Sequence, residues 1–401
     1  MERGKKMSEK RRDSKNRNLL SGESQRKDGR YAYKYTDAFG KPQFVYAWRL
    51  VPTDKTPTGK RDDISLREKE KTIRKDLDDG IDTLGKKMTV CQLYEKHIRH
   101  KGNVRHGTKN GRKWLMKSLE QDKLGSCSID SVKMSDAKEW ALRLAEQGVA
   151  YNTINNTKRS LLAAFYTAIR DDCIRKNPFD FKLNTVIEDN TQPKVPLTPA
   201  QEKELFAFVQ GDKCYRKYYD ELVILLGTGL RISEFCGLTD TDLDFENRKI
   251  NVDHQLLHRC DIGYYIEPPK TESGIRQIPM SESVYEALQN VLKNRKAKPF
   301  VVEGYSNFVF VNRNGIPKTA HNYNTMFPRL VDKCNKRREV VLPKVTPHIL
   351  RHTFCTQNAN AGMNPKSLQY IMGHANVVMT LNYYAHATFE SAKAEMDRLA
   401  A

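Results

Sequence analysis

Residues 346–386 constrain this chain more than any other stretch. They read TPHILRHTFCTQNANAGMNPKSLQYIMGHANVVMTLNYYAH, a pattern that predicts two helices, a turn and the start of a third. Thr346 suits the N-cap of the first helix, with Pro347 at its first position, where a missing N–H costs nothing. Gly362 closes that helix, Asn364-Pro365 opens the second, and Gly373 closes it. Thr380 then caps a short helix that carries Tyr383 and Tyr384. His348 and Arg351 are three residues apart, so they share a face near a positively polarised helix end, which suits a phosphate. His374 follows the second helix at its stop. Two histidines, an arginine and a tyrosine beside helix ends suggest phosphoryl transfer that needs neither metal nor nucleotide.

The partner follows from charge. A net charge of +20 over 401 residues points to a polyanion, with nucleic acid the first candidate and a merely basic protein the plainer alternative. At 38% hydrophobic content the chain can bury cores for two or three domains. No apolar run approaches the length of a membrane span, and no signal peptide is expected. The eight cysteines are scattered, with no C-x-x-C pair and no Cys/His cluster at zinc spacing. They read as reduced, mostly buried thiols of a cytoplasmic protein.

Along the chain, residues 1–18 are crowded with Lys and Arg and predict a mobile basic arm. Tyr31, Tyr33 and Tyr35 alternate, and Phe44, Tyr46, Trp48 and Leu50 do so after a turn at residues 39–42, which predicts a strand pair. Ser65 and Glu68 form a capping box for a helix ending near Gly80. The aromatics can serve as core on one face of this sheet and as a DNA surface on the other. Gly85-Lys86-Lys87 reads as a linker. Helices are then expected from Thr89 towards Arg99, over 108–120, from Ser135 to Gly148, and over 152–172, with Ile154, Leu161, Leu162, Phe165 and Ile169 at helical spacing. Asn177-Pro178 ends this bundle, and Lys158 and Arg159 either touch a DNA backbone or form a solvated face. Residues 188–195 are polar and proline-marked, a domain boundary.

Thr198-Pro199 starts a new helix, and an apolar segment at 222–226 leads into GTGLRISE. Extended segments follow at 249–252 and at 264–266, the latter paired across KTESG with 276–279; helices dominate from Asn322. The fold class expected is multidomain and mainly α with small β elements. Its parts are a basic arm with a small sheet and helix over 1–84, a helical domain over 85–190, and a mainly α domain over 191–401 with a tail helix. In that tail Phe389, Ala392, Met396 and Leu399 form a narrow apolar stripe.

Taken singly, Arg231 reads as a surface ion pair, Lys270 as a solvated turn residue, His348 as a cap and a tyrosine as core. Order and spacing change that. TGLRISE, K-T-x-S-G-x-R, H-x-L-R-H and G-H-x-x-x-x-x-T-L-x-x-Y-x-H run in one direction within one domain. The segment over about 195–386 resembles the catalytic domain of tyrosine recombinases, the family of phage lambda integrase. The upstream layout resembles integrases of conjugative transposons, with arm-binding and core-binding domains.

The resemblance implies that Arg231, His348, Arg351 and His374 bind a scissile phosphate, with Ser233 and Glu234 orienting Arg231. Fixed guanidiniums can pair with its non-bridging oxygens and stabilise a pentacoordinate transition state. Lys270 is implied as the general acid on the leaving sugar oxygen. A tyrosine attacks to form a 3′-phosphotyrosyl ester, so no cofactor is needed. Tyr383 and Tyr384 lie nine and ten residues past His374. Some members use the shorter spacing, but T-L-N-Y-Y-A-H resembles members reading T-L-x-x-Y-x-H, which places the nucleophile at Tyr384 and Tyr383 in the core. His352 is left to local packing, and His386 flanks the nucleophile or sits at the surface.

The implied function is a site-specific recombinase that integrates and excises a mobile element. A type IB topoisomerase and a non-catalytic DNA-binding regulator are the competing readings. The implied partners are double-stranded DNA at core and arm sites, further copies in a tetramer with exchanged tails, and an accessory excision factor. The implied location is the cytoplasm, at the nucleoid.

Overall fold

The computed structural model describes residues 11–37, 40–79, 82, 85–102, 104–192, 195–296, 298–336, 341–384 and 396. The chain divides into two compact units, residues 1–192 and 193–401. No described helix is long and apolar enough to cross a membrane.

In the first unit, alternation builds an antiparallel sheet in the order β1 (Glu23–Gln25), β2 (Tyr31–Thr36), β3 (Pro42–Ala47). Tyr31 faces Ala47 and Lys34 faces Phe44. The period of two sends Tyr31, Tyr33 and Ala47 into a small core with Leu50 and Leu66, while Phe44 and Tyr46 stand exposed. Leu66 opens α1 (Leu66–Asp78), whose start is held by Glu68: the Ser65 amide and hydroxyl donate to its Oε2 at 3.2 and 2.6 Å.

The arm expected to be mobile is not so throughout. Residues 1–10 lie outside the described residues, but Asp13 is buried and Arg12 bridges to Asn18. Arg17 pairs with Asp13 at 2.8 Å and Asp54 at 2.9 Å, and donates to the Tyr31 hydroxyl at 3.0 Å. These charge-assisted bonds fasten to the sheet a segment that its net charge alone would leave solvated.

The stretch expected as a linker is a turn of 3-10 helix, Gly85–Lys87. A side chain on Gly85 would meet Cys173 Sγ at 2.7 Å, so the turn packs against its neighbours. The helices then follow as α2 (Val90–Arg99), α3 (His106–Glu120), α4 (Lys123–Ser126), α5 (Met134–Glu146) and α6 (Tyr151–Arg170). Asn177-Pro178 does not end this bundle. Asn177 donates to the Leu162 carbonyl at 2.9 Å and accepts from the Phe179 amide at 3.0 Å. That folds the chain back, and Phe179 and Leu183 complete the core, Phe179 edge-on to Trp140 at 5.8 Å. Lys158 is buried, its ammonium 4.6 Å from the Phe181 ring centre, whereas Arg159 is exposed.

In the second unit, α7 (Pro199–Gly211), α8 (Tyr219–Thr228) and α9 (Ile232–Gly237) precede an antiparallel sheet, β4 (Leu243–Asp244), β5 (Lys249–Val252), β8 (Arg276–Pro279). A separate hairpin joins β6 (Gln255–Arg259) to β7 (Gly263–Glu267). The expected pairing of 264–266 with 276–279 is therefore corrected. Pro268 and Pro269 follow β7 and cannot donate to a ladder. β8 instead pairs with β5, where Ile250 and Ile278 face each other in the core. The unit ends with α10 (Glu282–Asn294), α11 (Ala320–Asn335), α12 (Pro347–Asn360), α13 (Pro365–Met372) and α14 (Val377–Leu381).

Candidate active site

The start of α12 is the one expected: Thr346 accepts from the Ile349 amide at 3.2 Å, and Pro347 is the first residue. Asn364 caps α13, and Gly373 ends it at φ +60. Thr380 does not cap the third helix. Asn376 does, accepting from the Val378 amide at 2.9 Å, so α14 begins at Val377 and both tyrosines lie in the turn beyond it. Thr380 is buried instead, and its hydroxyl meets His374 Nδ1 at 2.9 Å.

Arg231 is placed by a sharp reversal. α8 stops at Gly229, in the left-handed region at φ +60, where a Cβ would lie 2.4 Å from Phe354. The chain can therefore pass close to α12 and set Arg231 at the N-cap of α9. Arg231 donates to Glu234 Oε1 at 2.7 Å and to the Gly373 carbonyl at 2.9 Å. Arg351, buried on α12, donates to the Gly229 carbonyl at 2.6 Å and to the Met372 carbonyl. Both arginines thus converge on the end of α13, next to His374.

Glu234 lies beneath them, 2% exposed. Burial opposes its charge, but Arg276, Arg231 and Arg351 outweigh that and hold the carboxyl below its ordinary range. Burial, Arg231 and Arg276 push Arg351 down to about 9, which still leaves it a cation at neutral pH. Burial and the three guanidiniums push His374 down to about 4, so its ring is neutral there. Arg231 and Arg276 pair with this one carboxylate, while Arg351 adds a third guanidinium that donates to backbone carbonyls. Charges left unpaired in a partly desolvated site favour an anion as ligand.

The structure brings Arg231, Arg351 and His374 together. His348 stands exposed in the first turn of α12, and Lys270 stands exposed on the loop between β7 and β8. Tyr384 is half-buried and its hydroxyl donates to the Met363 carbonyl at 2.5 Å. Tyr383 packs its ring edge-on to His352 at 4.8 Å and parallel to His374 at 6.4 Å, and both tyrosines are partly buried against the same cluster. Burial and then Cys355 raise the pKa of both phenols; only for Tyr383 does Arg351 pull the other way. His386 and the apolar tail positions 389, 392 and 399 lie outside the described residues.

One expectation about neighbours changes. Glu234 does hold Arg231, but Ser233 donates to Gln255 at 2.8 Å instead. Arg276, which closes the K-T-x-S-G-x-R motif, is buried against Glu234, a pairing that spacing along the chain does not specify.

A mainly helical unit that gathers cationic side chains over a buried carboxylate defines a protein that handles phosphate. Residues 196–391 match the phage integrase family, and residues 7–77 match the DNA binding domain of Tn916 integrase. The transposase from transposon Tn1545 of Streptococcus agalactiae is 64% identical over 394 residues, 98% of this chain and 97% of that one. The transposase from transposon Tn916 of Enterococcus faecalis is 64% identical with the same coverage of 98% and 97%. A solved structure of the Tn1549 transposon integrase in complex with circular intermediate DNA is 68% identical, with a TM-score of 0.74 over 78% of this chain and all (100%) of that chain. The chain belongs to the phage integrase family and is a tyrosine recombinase.

Proposed function

We propose that this recombinase is the integrase of a conjugative transposon, cutting and rejoining DNA to insert and release the element. The observation that carries this is the convergence of Arg231 and Arg351 on the end of α13 beside His374. Similarity over the full length to transposases of transposons supports the mobile-element reading and weighs against a topoisomerase or a regulator.

In the proposed reaction Arg231, His348, Arg351 and His374 hold the scissile phosphate. The Tyr384 hydroxyl gives up its proton to solvent, and its oxygen forms a bond to phosphorus as the bond from phosphorus to the 5′ oxygen breaks. Lys270 gives that oxygen its proton, since an alkoxide leaves poorly. The product is a 3′-phosphotyrosine and a free 5′ hydroxyl, and a hydroxyl from a partner duplex reverses the step to complete exchange. Tyr384 must first release the Met363 carbonyl.

Residues 1–84 would bind arm sites and 85–190 the core site. Phe44 and Tyr46 exposed beside Arg26, Arg30 and Lys34 support the first assignment. The working assembly is a tetramer on two duplexes in the cytoplasm, joined by residues 387–401 and aided in excision by an accessory factor. Deleting that tail should impair recombination while sparing DNA binding.

Tyr384→Phe tests the central claim on a nicked duplex from the end of the element. It should abolish the covalent protein–DNA adduct and keep DNA binding, while Tyr383→Phe still forms the adduct. The reverse pattern would move the nucleophile to Tyr383.

A further inference from the structure

We propose that Arg276 is a positioning residue that couples the Lys270 loop to the phosphate-binding cluster; the proposal rests on the reading of Lys270 as the acid. The Arg276 side chain is fully buried on β8. Its Nη1 donates to the Gly274 carbonyl at 2.9 Å, its Nε to the Ile371 carbonyl at 2.6 Å and its Nη2 to Glu234 Oε2 at 2.8 Å. One planar group therefore reaches three separate places. Gly274 ends the turn that follows Lys270, Ile371 lies in the last turn of α13 before His374, and Glu234 is the carboxylate that holds Arg231.

The geometry is specific to a guanidinium, whose rigid fork can serve several acceptors at once, as an ammonium on a flexible stem cannot. Gly373 permits the close approach. It sits at φ +60, and a Cβ there would lie 3.1 Å from both Arg276 Nη1 and the Ser273 carbonyl. The loop that carries Lys270 is thus pressed against the residue preceding His374. Lys270 is exposed, so its placement depends on how its loop is anchored rather than on packing of its own side chain. Any buried guanidinium must have its remaining N–H groups satisfied, and here the acceptors that do so, the Gly274 and Ile371 carbonyls, join the acid's loop to the cluster.

The test uses full-length Arg276→Lys, which keeps the charge beside Glu234, with Lys270→Ala alongside. Adduct formation is measured on a nicked duplex from the element's end, with either oxygen or sulfur at the 5′ bridging position. Sulfur leaves without a proton, so a lost acid is forgiven on that substrate. Arg276→Lys should cleave the oxygen substrate about 100-fold more slowly and recover most of that loss with sulfur, as a misplaced acid requires. Equal defects on both substrates, with Lys270→Ala rescued, would overturn the proposal. Amide hydrogen exchange over residues 270–275 gives a second reading that does not depend on the acid. Faster exchange in Arg276→Lys, at unchanged melting temperature, supports the coupling, and unchanged exchange overturns it. If sulfur fails to rescue Lys270→Ala itself, the acid assignment fails, and the exchange result alone decides whether Arg276 anchors the loop.

Discussion

The Thr380 hydroxyl lies 2.9 Å from Nδ1 of His374, and both residues are buried. The partner of one ring nitrogen sets how the other is presented. Thr380 thus orients His374 from a position six residues along the chain. Thr380→Val keeps the shape and removes the bond. It should lower stability by about 1–3 kcal/mol, as for a buried polar atom left unpaired. Adduct formation should fall at least about 10-fold, which is 1.4 kcal/mol of lost orientation. Melting curves and adduct yields at one temperature check both.

His374 also makes stability depend on pH. Its pKa is pushed down to about 4 from 6.5 by burial and by Arg351, Arg231 and Arg276. The unfolded chain therefore takes up the proton more readily than the folded one. The contribution is fully present above about pH 6.5 and is lost as pH falls towards 4. Denaturant unfolding should show His374→Gln losing about 2 kcal/mol less than the parent between pH 7 and pH 5. His97, also held near 4 by burial with Lys101 and Arg112, should leave a residual slope in both proteins. A slope unaffected by the substitution would refute the assignment.

Gly229 should tolerate no side chain. It combines φ +60 with a Cβ position 2.4 Å from Phe354, and its carbonyl accepts from Arg351. Gly229→Ala should cost about 3 kcal/mol through backbone strain and overpacking. Cleavage should fall more steeply than stability accounts for, because the reversal sets both Arg231 and Arg351. Adduct formation measured well below the melting temperature separates the two effects.

The sheet of the first unit should bind DNA through its exposed face. The Arg30 guanidinium lies 5.3 Å from the Tyr46 ring centre and 5.4 Å from that of Trp48. Arg30→Ala should weaken binding to arm-site duplexes about 10-fold and lower the dependence of log affinity on log salt by about one. Filter binding over a salt series reads both. An affinity and slope equal to those of the parent would place the DNA surface elsewhere.

Local signals were legible in the sequence wherever one short stretch contains the whole cause. Thr346-Pro347, Asn364-Pro365 and Gly373 mark helix ends because capping acts within a few residues. The alternating tyrosines of β2 announced a sheet with one buried and one exposed face, because the strand period is two. Ordered motifs carried the family and the candidate site residues.

Pairings over long sequence distance were not legible. Strand β8 reads as well beside β7 as beside β5, and only the prolines after β7 and the shared Ile250–Ile278 core decide between them. Lys158 looks like a DNA contact until Phe181 covers it, and residues 11–18 look like a free arm until Asp54 captures Arg17. By itself the sequence determined the start of α12 and both ends of α13, the basic character and which residue types could handle a phosphate, since these depend on neighbours in the chain. Only the tertiary structure decided that Glu234 ties Arg231 to Arg276 and that Thr380 serves His374 rather than a helix end. A buried charge or ring nitrogen takes whatever partner the packed core brings within hydrogen-bond reach, and spacing along the chain does not specify that partner.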